Sequence, residues 1–177
     1  MIRKWKFIRS LYNLELPVED IINDFTLEEL NEIRSVNKEN FEYGALGEFG
    51  IRKHLELNKH QVSQNYPSVS RNFWYDWEIQ NDYWEVKSQP WWSKAQDLTL
   101  QGATNFLKYH NHLSTLLIWD MKSDDILTPL ALVDPSGFVD VALPLSNGKT
   151  GISATIQVIY ENGYLEVLND EWRRKIL

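Results

Sequence analysis

At 177 residues the chain is long enough to bury a core without disulfides or metals, and short enough to be read as a single domain. Its 43% hydrophobic and 24% charged residues exclude global disorder, and its lack of cysteine excludes disulfide scaffolds, thiol catalysis and Cys-ligated zinc or iron–sulfur centres. The net charge of −7 opposes nonspecific coating of nucleic acid, although it is unevenly spread: residues 17–48 carry nine acidic and two basic residues, residues 49–112 six acidic and seven basic. No apolar run reaches roughly 18 residues, and the basic start through Arg3, Lys4 and Lys6 lacks the apolar stretch of a secretory signal. A cytoplasmic protein that does not cross a membrane is therefore expected.

In chain order, residues 1–40 read as an accessory helical segment. Pro17 suits a first helical turn, and Thr26-Leu27-Glu28-Glu29 is a capping box that opens an amphipathic helix through Ile33. Residues 40–58 carry apolar side chains at helical spacing (Phe41, Ala45, Leu46, Phe49, Ile51, Leu55). Gly44, Gly47 and Gly50 recur every third position along them, which implies close packing, with a sheet as the expected partner. From Asn72 to Gln89 the period becomes two, as in a β-hairpin turning at Gln80-Asn81-Asp82. A turn centred between Gln80 and Asn81 sets Asp76 opposite Glu85, with Cβ atoms roughly 5 Å apart. Asp97 to His112 is expected to be a helix with Leu98, Gln101, Asn105 and Lys108 along its sides, and Thr115 to Trp119 a buried central strand. The C-terminal part reads as two β-hairpins. Leu130–Val133 and Phe138–Leu143 flank Asp134-Pro135-Ser136-Gly137, and Ile156–Tyr160 and Tyr164–Leu168 flank Glu161-Asn162-Gly163. Asp170 is the expected cap of a short basic terminal helix.

The chemistry-bearing group is Asp76, Glu85 and Lys87, which alternation puts on one face of the 72–89 hairpin while the other face is hydrophobic. Two opposed carboxylates repel unless a cation lies between them. Their hard oxygens suit Mg²⁺ or Mn²⁺, which polarises phosphoryl oxygens and lowers the pKa of bound water, and Lys87 beside that water would orient it and stabilise developing negative charge. Those are the parts needed to hydrolyse a phosphodiester. The competing reading is a solvated hairpin face with a weak surface ion pair. A second acid-x-Lys triplet, Asp120-Met121-Lys122, follows the buried run, and His110 and His112 are either paired ligands or unrelated exposed groups. Arg52, Lys53, Arg71, Lys94 and Lys108 are phosphate contacts or solvated surface. Five of the eight tryptophans (Trp74, Trp77, Trp84, Trp91, Trp92) crowd the hairpin region, either as a core layer or as a stacking surface for bases.

Asp76 on one strand, Glu85-Val86-Lys87 on the next and Glu48 in Gly47-Glu48-Phe49-Gly50 on the preceding helix resemble the PD-(D/E)XK, or restriction-endonuclease-like, nuclease superfamily over roughly residues 43–120. Gln89 and Gln101 look further alike, whereas Tyr75 stands where a proline often precedes the first acid. The resemblance implies an α/β fold with a mixed central β-sheet flanked by helices, its core at residues 41–120 and a β-rich part of the same domain at 121–177. It implies Glu48, Asp76, Glu85, Lys87 and Gln101 as catalytic residues, with Mg²⁺ or Mn²⁺ held by Asp76, Glu85, the Val86 backbone carbonyl and Glu48. The activity it implies is that of a metal-dependent nuclease, on DNA in preference to RNA, in which a homodimer would supply two sites for two strands. The alternatives are a non-catalytic nucleic-acid-binding module on the same fold, and a protein-interaction factor in which the hairpin charges are incidental.

Overall fold

In a computed structural model of the chain, residues 6–36, 46–57, 62–64, 74–89, 96–123, 125–146 and 150–176 are described. A 3-10 turn at Lys6–Leu11 leads into β1 (Leu16–Pro17), α1 (Val18–Asp24), α2 (Leu27–Val36) and α3 (Leu46–Leu57). Strands β2 (Val62–Gln64), β3 (Trp77–Ile79), β4 (Asp82–Ser88) and β5 (Asp97–Gln101) follow, then α4 (Thr104–Tyr109) and a 3-10 turn at His110–His112. The chain continues through β6 (Leu113–Ser123), β7 (Ile126–Val133), α5 (Pro135–Val141), β8 (Leu143–Pro144), β9 (Gly151–Thr155), α6 (Ile156–Glu161), β10 (Leu165–Val167) and α7 (Asp170–Ile176).

The continuous apolar run at 115–119 is the middle of β6, and it is apolar on both sides because both faces of the sheet are covered. Strands pair in the order β1-β7-β6-β4-β3-β2, with β10 also against β7; β4 and β6 run parallel and the other pairs antiparallel. On one face Trp77, Ile79, Trp84, Val86, Leu117 and Trp119 pack with Ile21 of α1 and Ile51 and Leu55 of α3. On the other, Leu116, Ile118, Ala131 and Val133 pack under a small antiparallel sheet, β5-β9-β8, and under α4 to α7. The expected mixed central sheet flanked by helices is thus present.

Several local expectations hold. The capping box is formed, with the Thr26 amide donating to Glu29 Oε1 (3.0 Å) and the Glu29 amide to Thr26 Oγ1 (3.1 Å). The β3–β4 register pairs Trp77 with Trp84 and Ile79 with Asp82 around Gln80 and Asn81, both at positive φ (50° and 68°), the backbone of a two-residue hairpin turn.

Others are corrected. Residues 97–101 form strand β5, not the start of a helix, because Leu98 and Leu100 alternate inward against Ala154 and Ile152 of β9. Residues 135–141 form α5 rather than a hairpin arm: Pro135 takes the first helical turn, where its missing N–H costs nothing. Residues 156–161 form α6, capped by Thr155 Oγ1, which accepts from the Val158 amide (3.2 Å). The C-terminal hairpins are therefore absent, and β10 pairs back onto β7, Leu165 opposite Val133. Asn169, not Asp170, caps α7 through the Trp172 amide (2.8 Å). Gly50 meets a helix rather than the sheet, since a Cβ there would lie 2.8 Å from Ile21 Cδ1; Gly44 lies outside the described residues.

The turn is open to improvement, because a non-glycine residue at positive φ is strained. Asn81→Gly is expected to raise the unfolding free energy by about 0.5–1 kcal/mol, read from the urea midpoint at unchanged slope.

Candidate active site

Strand β4 carries the site by simple alternation. Trp84 and Val86 enter the core shared with α3, so Glu85 and Lys87 point to the opposite face, toward β5 and α4. The sheet ladder ends one residue before Trp77. Asp76 donates its amide to the Trp84 carbonyl (2.8 Å) and accepts the Val86 amide on its own Oδ2 (2.8 Å). Its carboxylate thus takes a donor that a strand carbonyl would otherwise satisfy, and this is why the expected strand does not continue back through Tyr75 and Trp74.

The Asp76 and Glu85 carboxyl groups line the same cleft, where two carboxylates brought together repel unless a proton or a cation lies between them. Burial and, next, the charge of Asp76 push Glu85 up to about 8 against the opposing pull of Lys87. Burial also raises Asp76, opposed by Lys87, by the Val86 amide and by Glu85. Lys87 Nζ stands 3.2 Å from Glu85 Oε1, with the Lys87 side chain 42% exposed and Glu85 only 16%. The competing reading of a solvated hairpin face therefore does not hold for Glu85: the face is roofed.

The roof is the β5–α4 connection. Leu100, Gln101, Gly102, Ala103, Asn105 and Phe106 line a cleft of about 140 Å³ together with Asp76, Glu85, Lys87, Trp74 and Tyr75. Gly102, at φ 58° with no atom within 4 Å of its missing Cβ, turns the chain from strand to helix. Gln101 does line the site, but from the exposed end of β5, not from a helix as expected.

The structure thus brings Asp76, Glu85, Lys87 and Gln101 together. Glu48 falls on α3, which crosses the other face of the sheet, and its side chain lies outside the described residues. At Val86 the amide is engaged with Asp76. Gln89, beyond Lys87, is buried beside β6, its backbone N–H donating to the Trp119 carbonyl (2.8 Å). Among the described residues no group of three or more His, Asp or Glu side chains is gathered as metal ligands.

The rivals fall away on geometry. Asp120 is 1% exposed, and Lys122 binds Glu15 (2.8 Å) and Glu171 (3.3 Å), tying the two ends of the chain. His110 Nδ1 lies 2.9 Å from Ser136 Oγ while His112 rests against Trp74, so the two imidazoles diverge. Lys53 pairs with Glu29 (3.7 Å) over Phe25, and Arg71 and Lys94 lie outside the described residues. Trp77 and Trp84 are core, Trp91 and Trp92 lie outside the described residues, and of the three described tryptophans Trp74 reaches the cleft. Sequence reasoning missed Tyr75, Asn105 and Phe106; the only signal was their nearness in sequence to Asp76 and Gln101.

Comparison with protein-family models, curated proteins and solved structures returned no match to this chain. No described helix is long and apolar enough to cross a membrane.

The raised carboxyl has a consequence for stability. Glu85 titrates near 4.5 when unfolded and near 8 when folded, so between these values the native state binds the extra proton. Stability from this group is full below about 4.5 and is lost as pH rises through about 8. Urea unfolding in EDTA is expected to show a falling free energy over that window, and Glu85→Gln, which keeps the shape without the ionisation, to flatten it. A wild-type profile that rises across the window would contradict the assignment.

Proposed function

We propose that this cleft is the active site of a Mg²⁺- or Mn²⁺-dependent nuclease that hydrolyses DNA phosphodiesters on a restriction-endonuclease-like core. The observation that carries the reading is the half-buried carboxyl pair Asp76 and Glu85 in the wall of one cleft, with the Lys87 ammonium 3.2 Å from Glu85. The order of parts supports the core: helix α3, an acid before β3, acid-x-Lys on β4, then α4 and the buried parallel strand β6.

The donor set fits a hard divalent cation. Two carboxylates forced together in a desolvated cleft hold a proton at a cost, and a cation of higher charge is the better neutraliser. Two protein carboxylates suffice for Mg²⁺, which keeps several waters and completes its shell with substrate phosphate. Asp76 and Glu85 would hold it, with the Val86 carbonyl as a further ligand implied by the resemblance; Glu48, which the resemblance also implies, stands on α3 across the sheet. When bound, the ion supplies Lewis-acid polarisation of a phosphoryl oxygen.

The chain's own groups do the rest. Lys87, anchored at Glu85 and still partly exposed, reaches a phosphate in the cleft, orients the attacking water and offsets the charge that grows on the phosphoryl oxygens. The water oxygen bonds to phosphorus, the bond from phosphorus to the leaving oxygen breaks, and that oxygen takes up a proton as the water releases one. Asp76 keeps its geometry through the Val86 amide, and Gln101 at the rim is placed to hydrogen-bond a phosphate oxygen. The second reading is a non-catalytic nucleic-acid-binding module, favoured by the aromatic side chains at the mouth of the same cleft.

The experiment incubates the protein with supercoiled plasmid, linear duplex, single-stranded DNA and RNA, each with Mg²⁺, Mn²⁺ or EDTA. Cleavage is expected with either metal and not in EDTA. Lys87→Ala and Asp76→Ala are expected to reduce it at least about 10²-fold with unchanged circular dichroism, and Gln101→Ala less. Undiminished cleavage in Lys87→Ala would overturn the roles assigned, and binding without cleavage of any substrate would favour the second reading. Independently of activity, Mg²⁺ is expected to raise the melting temperature of the wild type at pH 8 but not that of Asp76→Asn.

A further inference from the structure

An aromatic cluster flanks the cleft. The Trp74 ring is stacked on Tyr109 (centroids 5.3 Å, 24° between planes) and stands edge-on to Tyr83 (4.9 Å) and Tyr75 (5.0 Å), with His112 at 5.8 Å. These side chains come from the segment before β3, from β4, from α4 and from the 3-10 turn after it. Trp77, Trp84, Trp119 and Trp172 are wholly buried, but Trp74, Tyr75, Tyr83 and Tyr109 are only half-buried and His112 is exposed. Trp74 and Tyr75 line the same cleft as the carboxylate pair and directly precede Asp76 in the chain. Where Asp76 ends the ladder, the backbone of residues 74 and 75 leaves the sheet and brings these rings to the cleft mouth.

We infer that Trp74 and Tyr75 form a stacking platform for an unpaired base, so that the substrate is a single strand of DNA, or a strand whose bases are exposed, rather than intact duplex. The inference rests on the nuclease reading for the position of the cleaved bond. Three observations carry it. At about 140 Å³ the cleft is smaller than the 300–1,000 Å³ of a drug-sized pocket, so it has room for one planar group. Among the described residues the cations near the rings are Lys87 and Lys108, whose Nζ lies 5.2 Å from the Tyr109 centroid. The faces of bases add to the attraction that these cations exert on phosphate, and they do so without regard to sequence. Third, the rings are fixed by mutual edge and face contacts, so stacking a base orders few additional groups.

The test measures binding in EDTA by anisotropy with three labelled probes of equal length: oligothymidylate, an abasic deoxyribose-phosphate strand of the same charge, and a duplex. Oligothymidylate is expected to bind at least tenfold more tightly than either of the others, with quenching of tryptophan emission. Trp74→Ala is expected to bring it down to the abasic level. Trp74→Phe, which keeps a ring, is expected to bind within about threefold of wild type while losing the quench; a purely structural Trp74 would not separate binding from quenching in this way. Equal affinity for the base-bearing and abasic strands, preference for duplex, or no binding of oligothymidylate would each overturn the inference. Oligouridylate binding as tightly as oligothymidylate would support the platform and extend it to RNA. Base-dependent binding without cleavage in Mg²⁺ would keep the platform and remove the nuclease, whereas metal-dependent cleavage with base-independent binding would do the reverse.

Discussion

The parallel pairing of β4 with β6 is the constraint on which the remaining structure depends. Two parallel neighbours cannot be joined by a tight turn, because the chain leaves one strand at the end opposite to where it must enter the next. The return path carries β5 and α4, and it crosses the face of β4 from which Glu85 and Lys87 project. The crossover therefore both permits the sheet and roofs its polar face. Had β4 and β6 been antiparallel neighbours joined by a short loop, the same carboxylates would face water and stay close to their ordinary pKa.

That roof changes the electrostatics from incidental to consequential. An exposed ion pair of lysine and glutamate contributes little, because water screens it and two long side chains must be held in place. Under β5 and α4 the Glu85 carboxyl loses much of its hydration while Asp76, locked by the Val86 amide, cannot move away. The site is held in an unfavourable state by the packing of both hydrophobic layers. Such local strain, offset elsewhere in the fold, concentrates at functional sites.

The hairpin was largely legible in the sequence because its signals are local. Alternation from Trp77 to Ser88 and a two-residue turn at Gln80-Asn81 determine which residues oppose one another, so Asp76, Glu85 and Lys87 could be placed on one face from spacing alone. The capping box at Thr26 was equally local. Segments 97–101, 135–141 and 156–161 were misread because each is short and its pattern fits two periods. Leu98 and Leu100 become strand residues only because β9 offers a partner edge, and Ile156 and Ile159 become a helix face only because Thr155 caps it above a buried surface. Gln101 reached the site by a different element from the one expected, since a residue at a strand end and one on a helix side can occupy the same space.

By itself, then, the sequence determined the register of the hairpin, the buried central strand, the helical start of the chain and the identity of an acid pair with a lysine beside it. All of these follow from spacing along a few consecutive residues. Only the tertiary structure decided that the polar hairpin face lies under a second sheet, that α3 covers the opposite side, and that Trp74 faces the cleft while Trp77 and Trp84 do not. Those outcomes depend on which strand edges and apolar faces meet across large separations in the chain, and no period within a short segment encodes the identity of a distant partner.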